Sequence, residues 1–246
     1  MEILGKNLNL NDFRQYVKSY DFGSIKPTSL VIHHTWSPKK SDWRASTTIN
    51  GLKKYYEDKG WSAGPHLFIA EDGVWLFTPM SKVGIHAGEG NATWTRLGKD
   101  YTGFTGPLGS KLKSYSIGIE VVGDYDVERW TGETLKNALG AIKFLMEFLE
   151  IKTEDVYFHR DFPSAKKSCP GYAITKEWLF AELAKLSAGG AAVQPATEPS
   201  SWAKQAWNWQ RSLGFDLTIL PHQKVEAEWI VTMLFKVEEA RKASRL

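Results

Sequence analysis

SLVIHHT, residues 29–35, is a run of aliphatic residues that ends in two adjacent histidines. A short continuous apolar stretch of this kind reads as a strand buried on both faces, which belongs in a sheet covered by helices. The neighbouring segments agree with that reading. STTINGLKKYYEDKG (46–60) predicts a helix, with Ile49, Leu52, Tyr55 and Tyr56 on one face, Ser46 as its cap and Gly60 as its stop. HLFIAEDGVWLFTP (66–79) predicts two strands turning at Glu71-Asp72-Gly73. YSIGIEVVG (115–123) predicts a further strand, and residues 87–113 between them are polar, Gly-rich and expected to form a long loop.

Thr131 is placed to cap a helix reaching Glu150, with Leu135, Leu139, Ile142, Leu145, Met146 and Leu149 along one face. VYFH (156–159) reads as a short strand, and a last helix is expected from Thr175 to Leu186. Strands interleaved with helices, plus one hairpin, give an α/β class: a mixed β-sheet covered by helices.

Residues 188–201, AGGAAVQPATEPSS, are small and aperiodic and read as a linker. They divide the chain into an expected catalytic domain, 1–187, and a small C-terminal helical domain, 202–246. In that tail Trp202, Ala206, Trp209 and Leu213 make one helical stripe, and Ile230, Met233, Leu234 and Val237 make a second.

The 246 residues are 42% hydrophobic, enough for one substantial core. The net charge of +3 is spread along the chain, with no clustered Lys and Arg to bind nucleic acid through phosphates. A single cysteine excludes an internal disulfide framework. No stretch approaches the ~18 apolar residues of a membrane span, and MEILGKNLNLNDF (1–13) lacks the apolar run of a secretory signal. Synthesis in the cytoplasm without membrane insertion is therefore expected.

His33 and His159 each end a predicted strand, and Cys169 follows the second by ten residues. Two imidazoles and a thiolate are the donor set of a catalytic zinc site that keeps one position open. Buried structural histidines and a buried thiol would give the same three residues. Two features bear on the choice. Lys167 precedes the cysteine by two residues, and Glu120 ends the apolar SIGIE, where a carboxylate is costly without a partner. A solvent-facing Glu120 fits the alternation equally well.

VIHHT (31–35), GWSAGPHLFIAEDG (60–73), VGIHAG (83–88), SIGIE (116–120) and HRDFPSAKKSCPG (159–171), in this order, resemble the type-2 N-acetylmuramoyl-L-alanine amidase family of phage endolysins, recycling amidases and peptidoglycan-recognition proteins. The resemblance spans roughly residues 28–187. It implies a zinc ion (Zn2+) held by His33, His159 and Cys169, with Glu120 as general base and Lys167 stabilising the oxyanion. It implies substrate contacts at His66, His86 and Trp36, although either of the two histidines could be structural, and it makes His34 a packing or supporting group. The chain departs from some relatives by carrying Pro65 where they have a catalytic tyrosine.

The implied reaction is hydrolysis of the amide between N-acetylmuramic acid and L-alanine in bacterial peptidoglycan. A nucleophilic Cys169 is the competing chemistry, disfavoured because a zinc-bound thiolate is not free to attack. The tail, SSWAKQAWNWQRSLGF and EWIVTMLFKVEEA, loosely resembles wall-anchoring tails of Gram-positive phage amidases; a docking or homo-oligomerising helical pair is the other reading. A phage or prophage endolysin released through a holin-type lesion is expected. The alternatives are a cytosolic muropeptide-recycling amidase and a non-catalytic peptidoglycan receptor.

Overall fold

In the computed structural model, which describes residues 1–188, the run opening at Ser29 is strand β2 (Ser29–His34). It lies between two parallel neighbours, β7 (Lys111–Val121) and β8 (Val156–Phe158). β7 also pairs in parallel with β3 (Leu67–Ala70), which turns back into antiparallel β4 (Gly73–Leu76). β1 (Lys6–Leu8) adds antiparallel to β4, so the order across the sheet is β1-β4-β3-β7-β2-β8. The sheet is mixed, as the interleaved pattern implied.

Side-chain alternation divides the strands between two faces. Leu30, Ile32, Leu67, Ile69, Ile117, Ile119 and Val121 join one core. Helices α1 (Leu10–Ser19), α3 (Gly132–Leu149) and α4 (Lys176–Ala188) add Phe13, Val17, Leu139, Ile142, Leu145 and Leu179 to it. Each such side chain, fully buried, contributes roughly 1.5–3 kcal/mol relative to exposure, which makes this face the main source of stability. The other face carries a smaller cluster in which Phe68, Ala70, Trp75 and Phe77 meet Ile49 and Tyr56 of α2 (Ser46–Asp58). His33, Gly118 and Glu120 share the parity of this second face.

Several local expectations are corrected. Residues 87–113 are not a loop: a short 3-10 turn leads into β5 (Ala92–Arg96) and β6 (Lys99–Gly103), and β7 begins at Lys111. β5 pairs antiparallel with both β6 and the first half of β7. β6 is polar and exposed, and β5 is half-buried with only Ala92 and Trp94 reaching the core, so no apolar run marks either strand. Their turn is Leu97-Gly98, at φ 50 and 75, where Asn or Asp would have been the signal.

Ser46 is the first helical residue of α2 rather than its cap; Ala45 precedes it at φ 50, and the Arg44 N–H donates to the Thr48 hydroxyl at 2.8 Å. Thr131 occupies the cap position of α3, but its side chain makes no capping bond.

Met1–Leu183 form one compact unit. Ala188, the first residue of the expected linker, ends α4, and the rest of that linker and both expected tail helices lie outside the described residues. Among the described residues no helix is long and apolar enough to cross a membrane.

Candidate active site

The register of the parallel strands assembles the site. His33 stands opposite Glu120 across β2 and β7, and Ile32 stands opposite Phe158 across β2 and β8. One residue further on, His33, still within β2, and His159, just past β8, come side by side with ring centroids 4.6 Å apart. His33 is the penultimate residue of β2 and His159 follows β8 directly, so both sit at the carboxyl ends of parallel strands, where open α/β sheets bind ligands. Cys169 comes from the loop after β8. Its sulfur lies 3.6 Å from His33 Nδ1 and accepts the His34 N–H at 3.4 Å.

That loop is held by Arg160, whose Nη1 donates to the carbonyls of Ser168 and Gly171 at 2.9 and 2.8 Å, and whose Nη2 donates to that of Ile174. The Arg160 N–H also donates to the Cys169 carbonyl at 2.9 Å. Glu89 anchors the near side of the loop by accepting the Ser164 N–H at 3.0 Å and the Ser164 hydroxyl.

His33 is oriented from behind. With Nδ1 turned to the sulfur, Nε2 carries the proton and donates to His86 Nδ1 at 3.1 Å. His86 Nε2 then faces the Ser116 hydroxyl at 3.4 Å, which donates to the Gly90 carbonyl at 2.7 Å. Gly118 makes room for this arrangement, since a Cβ there would meet the His86 ring at 2.5 Å. SIGIE needs its glycine for that close approach.

Burial is the first cause of every shift in the cluster. It lowers His33 well below the ordinary imidazole value and takes His159 down to about 4. It pushes the Cys169 thiol up, and raises Glu120 to about 8 against the opposing pull of Lys167. Glu120 Oε1 lies 4.0 Å from His33 Nδ1, while Oε2 is buried without any hydrogen-bond partner. Neutral imidazoles are the metal-binding form. His33, His159 and Cys169 present two nitrogens and a sulfur within 4.8 Å of one another and could hold a metal ion.

The cluster floors a cleft of about 880 Å³ whose walls include Lys167, His86, Trp36 and the α2 residues Thr48, Leu52, Tyr55 and Tyr56. Trp36 sits at φ 54, a conformation costly for a residue with a side chain, and its indole is 60% exposed at the lip. His66 lies elsewhere. It is fully buried, accepts the Gly118 N–H on Nδ1 at 2.9 Å and donates from Nε2 to the Lys82 carbonyl at 2.9 Å. With both nitrogens engaged inside the protein, it does not face the cleft. His34 is buried at the edge of the cleft, where its Nδ1 accepts the Tyr125 N–H at 3.2 Å.

The N-acetylmuramoyl-L-alanine amidase family model matches residues 23–172. The chain belongs to this family. Its enzyme class is thus N-acetylmuramoyl-L-alanine amidase, with peptidoglycan as substrate. Among solved structures the amidase is similar to N-acetylmuramoyl-L-alanine amidase LysC from Clostridium intestinale, at 22% identity and TM-score 0.48, over 65% of this chain and 87% of that one. It is also similar to the endolysin amidase LysCS of the same organism, at 21% identity and TM-score 0.46, over 73% and 90% of the two chains. Drosophila PGRP-LB aligns at 21% identity and TM-score 0.47, over 68% and 85%. No curated protein sequence matches.

Reading the sequence missed three residues that shape this amidase's site: Arg160, Glu89 and Ser116. Only HRD, with a basic residue directly after His159, offered a signal. The partners of Glu89 and Ser116 lie 75 and 30 residues away and leave no local trace.

Proposed function

We propose that this amidase is zinc-dependent, that it cuts the bond between N-acetylmuramic acid and L-alanine, and that it serves as a phage or prophage endolysin. The observation carrying the reading is the buried His33, His159 and Cys169 cluster with the unpartnered Oε2 of Glu120 beside it. A tetrahedral zinc ion with nitrogen at ~2.0 Å and sulfur at ~2.3 Å would hold those two ligand atoms about 3.5 Å apart. His33 Nδ1 and Cys169 Sγ stand at 3.6 Å, so the donor set fits. A buried thiol with a raised pKa also gains most from a cation that takes the thiolate.

Bound there, zinc would supply Lewis acidity and make water more acidic. The remaining work falls to the chain. In its ionised form Glu120 accepts the proton of the attacking water on Oε2 and returns it to the alanine nitrogen as the C–N bond breaks. Lys167, an exposed ammonium on the cleft wall, balances the charge that develops on the carbonyl oxygen. His86 holds the His33 ring in its tautomer, and Trp36 offers an aromatic face to the substrate at the lip. The Trp-rich segment 202–246 supports an endolysin over a recycling enzyme, because a wall anchor has no use on soluble muropeptides.

The test is digestion of purified walls with product analysis, alongside metal analysis of protein purified without added zinc. New alanine amino groups without new reducing ends, and near one equivalent of zinc, are expected. Cys169→Ser should lose both metal and activity; a variant that keeps both overturns the ligand assignment.

A further inference from the structure

Tyr56 lies on the cleft face of α2, and its ring is fixed on several sides. It stacks on Trp61 at 5.5 Å with planes 13° apart, and meets Phe77 edge-on at 5.9 Å. Gly64 lets it settle, since a Cβ there would touch the ring at 3.1 Å. A phenylalanine would make all of these contacts, so packing gives no reason for the hydroxyl.

That hydroxyl makes no hydrogen bond among the described residues. It is not sealed in either, because the buried unpartnered side-chain atoms are Trp94 Nε1, Glu120 Oε2 and Trp130 Nε1. The open space that Tyr56 borders is the cleft it shares with Glu120, Lys167 and Cys169. Burial, and then the charge of Glu120, raise its pKa well above the ordinary phenol value. At neutral pH the group is a rigid, protonated, unpaired donor lining the same cleft as Glu120. An unpaired polar group on an apolar wall is tolerated where water or substrate takes the bond.

We propose that the Tyr56 hydroxyl is a catalytic hydrogen-bond donor to the carbonyl oxygen of the scissile amide. The proposal rests on the amidase reading of the cleft given above. Water's oxygen bonds to the carbonyl carbon, one water proton passes by way of Glu120 to the leaving nitrogen, and the C–N bond breaks. Tyr56 keeps its own proton throughout. Its bond tightens as the oxygen gains charge and relaxes when the carbonyl reforms, so it acts in the transition state rather than on the ground state.

The experiment is Tyr56→Phe in the full chain, assayed on soluble muropeptide beside the wild type, with zinc content and thermal unfolding measured on both. Unchanged zinc and unfolding, KM within about twofold and kcat down on the order of 10²-fold are expected. Wild-type kcat in the variant overturns the assignment, and so does a raised KM at unchanged kcat, which marks a ground-state contact only. A wild-type enzyme that releases no alanine amino groups overturns the amidase reading itself, and this proposal with it.

Discussion

His33 Nε2 and His86 Nδ1 lie 3.1 Å apart, with the opposite nitrogen of His33 turned toward Cys169. A ligating imidazole is aligned by what its second nitrogen bonds, and loss of such a partner commonly costs about 10–100-fold in metal affinity. His86→Ala should therefore bind zinc on the order of 10-fold or more weakly in a chelator competition. His86→Gln, whose carbonyl can still accept the Nε2 proton, should recover part of that loss. Equal affinities in all three proteins would reduce His86 to a wall of the cleft.

Glu120→Gln keeps the shape of the side chain and removes its basicity. The variant should fold and retain zinc, while kcat falls roughly 10²–10⁴-fold, the usual contribution of a positioned general base. Steady-state turnover with parallel metal analysis decides the matter. Wild-type turnover would mean that another group takes the proton.

His66 predicts a pH dependence of stability. Its folded pKa is lowered to about 4, chiefly by burial, against ~6.5 in the unfolded chain. Between those values the unfolded chain holds the proton and the folded one does not. Its contribution is thus complete above the unfolded pKa and is lost as pH falls toward 4, by on the order of 3 kcal/mol in all. Urea midpoints taken from pH 7 to pH 4.5 should fall for the wild type and flatten for His66→Gln. Parallel curves would assign the acid sensitivity to other groups.

The tail gives a fourth prediction. A chain ending near Ser187 retains His33, Glu120, His159, Lys167 and Cys169 and should still cleave soluble muropeptides. On intact walls it should be slower, because a tethered binding segment raises the local enzyme concentration. Sedimentation of the isolated 195–246 segment with purified walls tests the anchoring directly. If that segment stays in solution while only the full chain elutes as a dimer, the tail serves assembly instead.

How much could be read from the chain followed how each signal arises. SLVIHHT and SIGIE were legible because strands buried on both faces must be apolar throughout, and a charge ending such a run marks itself out. β5 and β6 were not legible, since Lys99 and Asp100 lie on an exposed strand and Thr93 and Thr95 on a half-buried one, and neither needs a continuous apolar pattern. Local capping was misjudged where a neighbour did the work, as Thr48 does for the backbone ahead of Ser46. The roles of His66 and His86 could not be separated in the sequence. One is fixed by the Gly118 N–H and the Lys82 carbonyl, the other by His33, and those contacts exist only after β3, β7 and β2 have come into register.

The Arg160 guanidinium commits its donors to the carbonyls of Ser168, Gly171 and Ile174. The turn that presents Cys169 is thus closed by the protein's own hydrogen bonds, with the entropy of ordering it met during folding. For the zinc proposed at His33, His159 and Cys169 the polypeptide would act as a preformed chelator. An incoming cation finds its donors at a spacing it can use and has little chain to organise, in contrast to small zinc domains that are unfolded until metal arrives. Stripping such a site of zinc is expected to silence chemistry while leaving architecture intact. On the zinc-dependent reading the protein would wait without its ion and become competent on meeting one, without refolding.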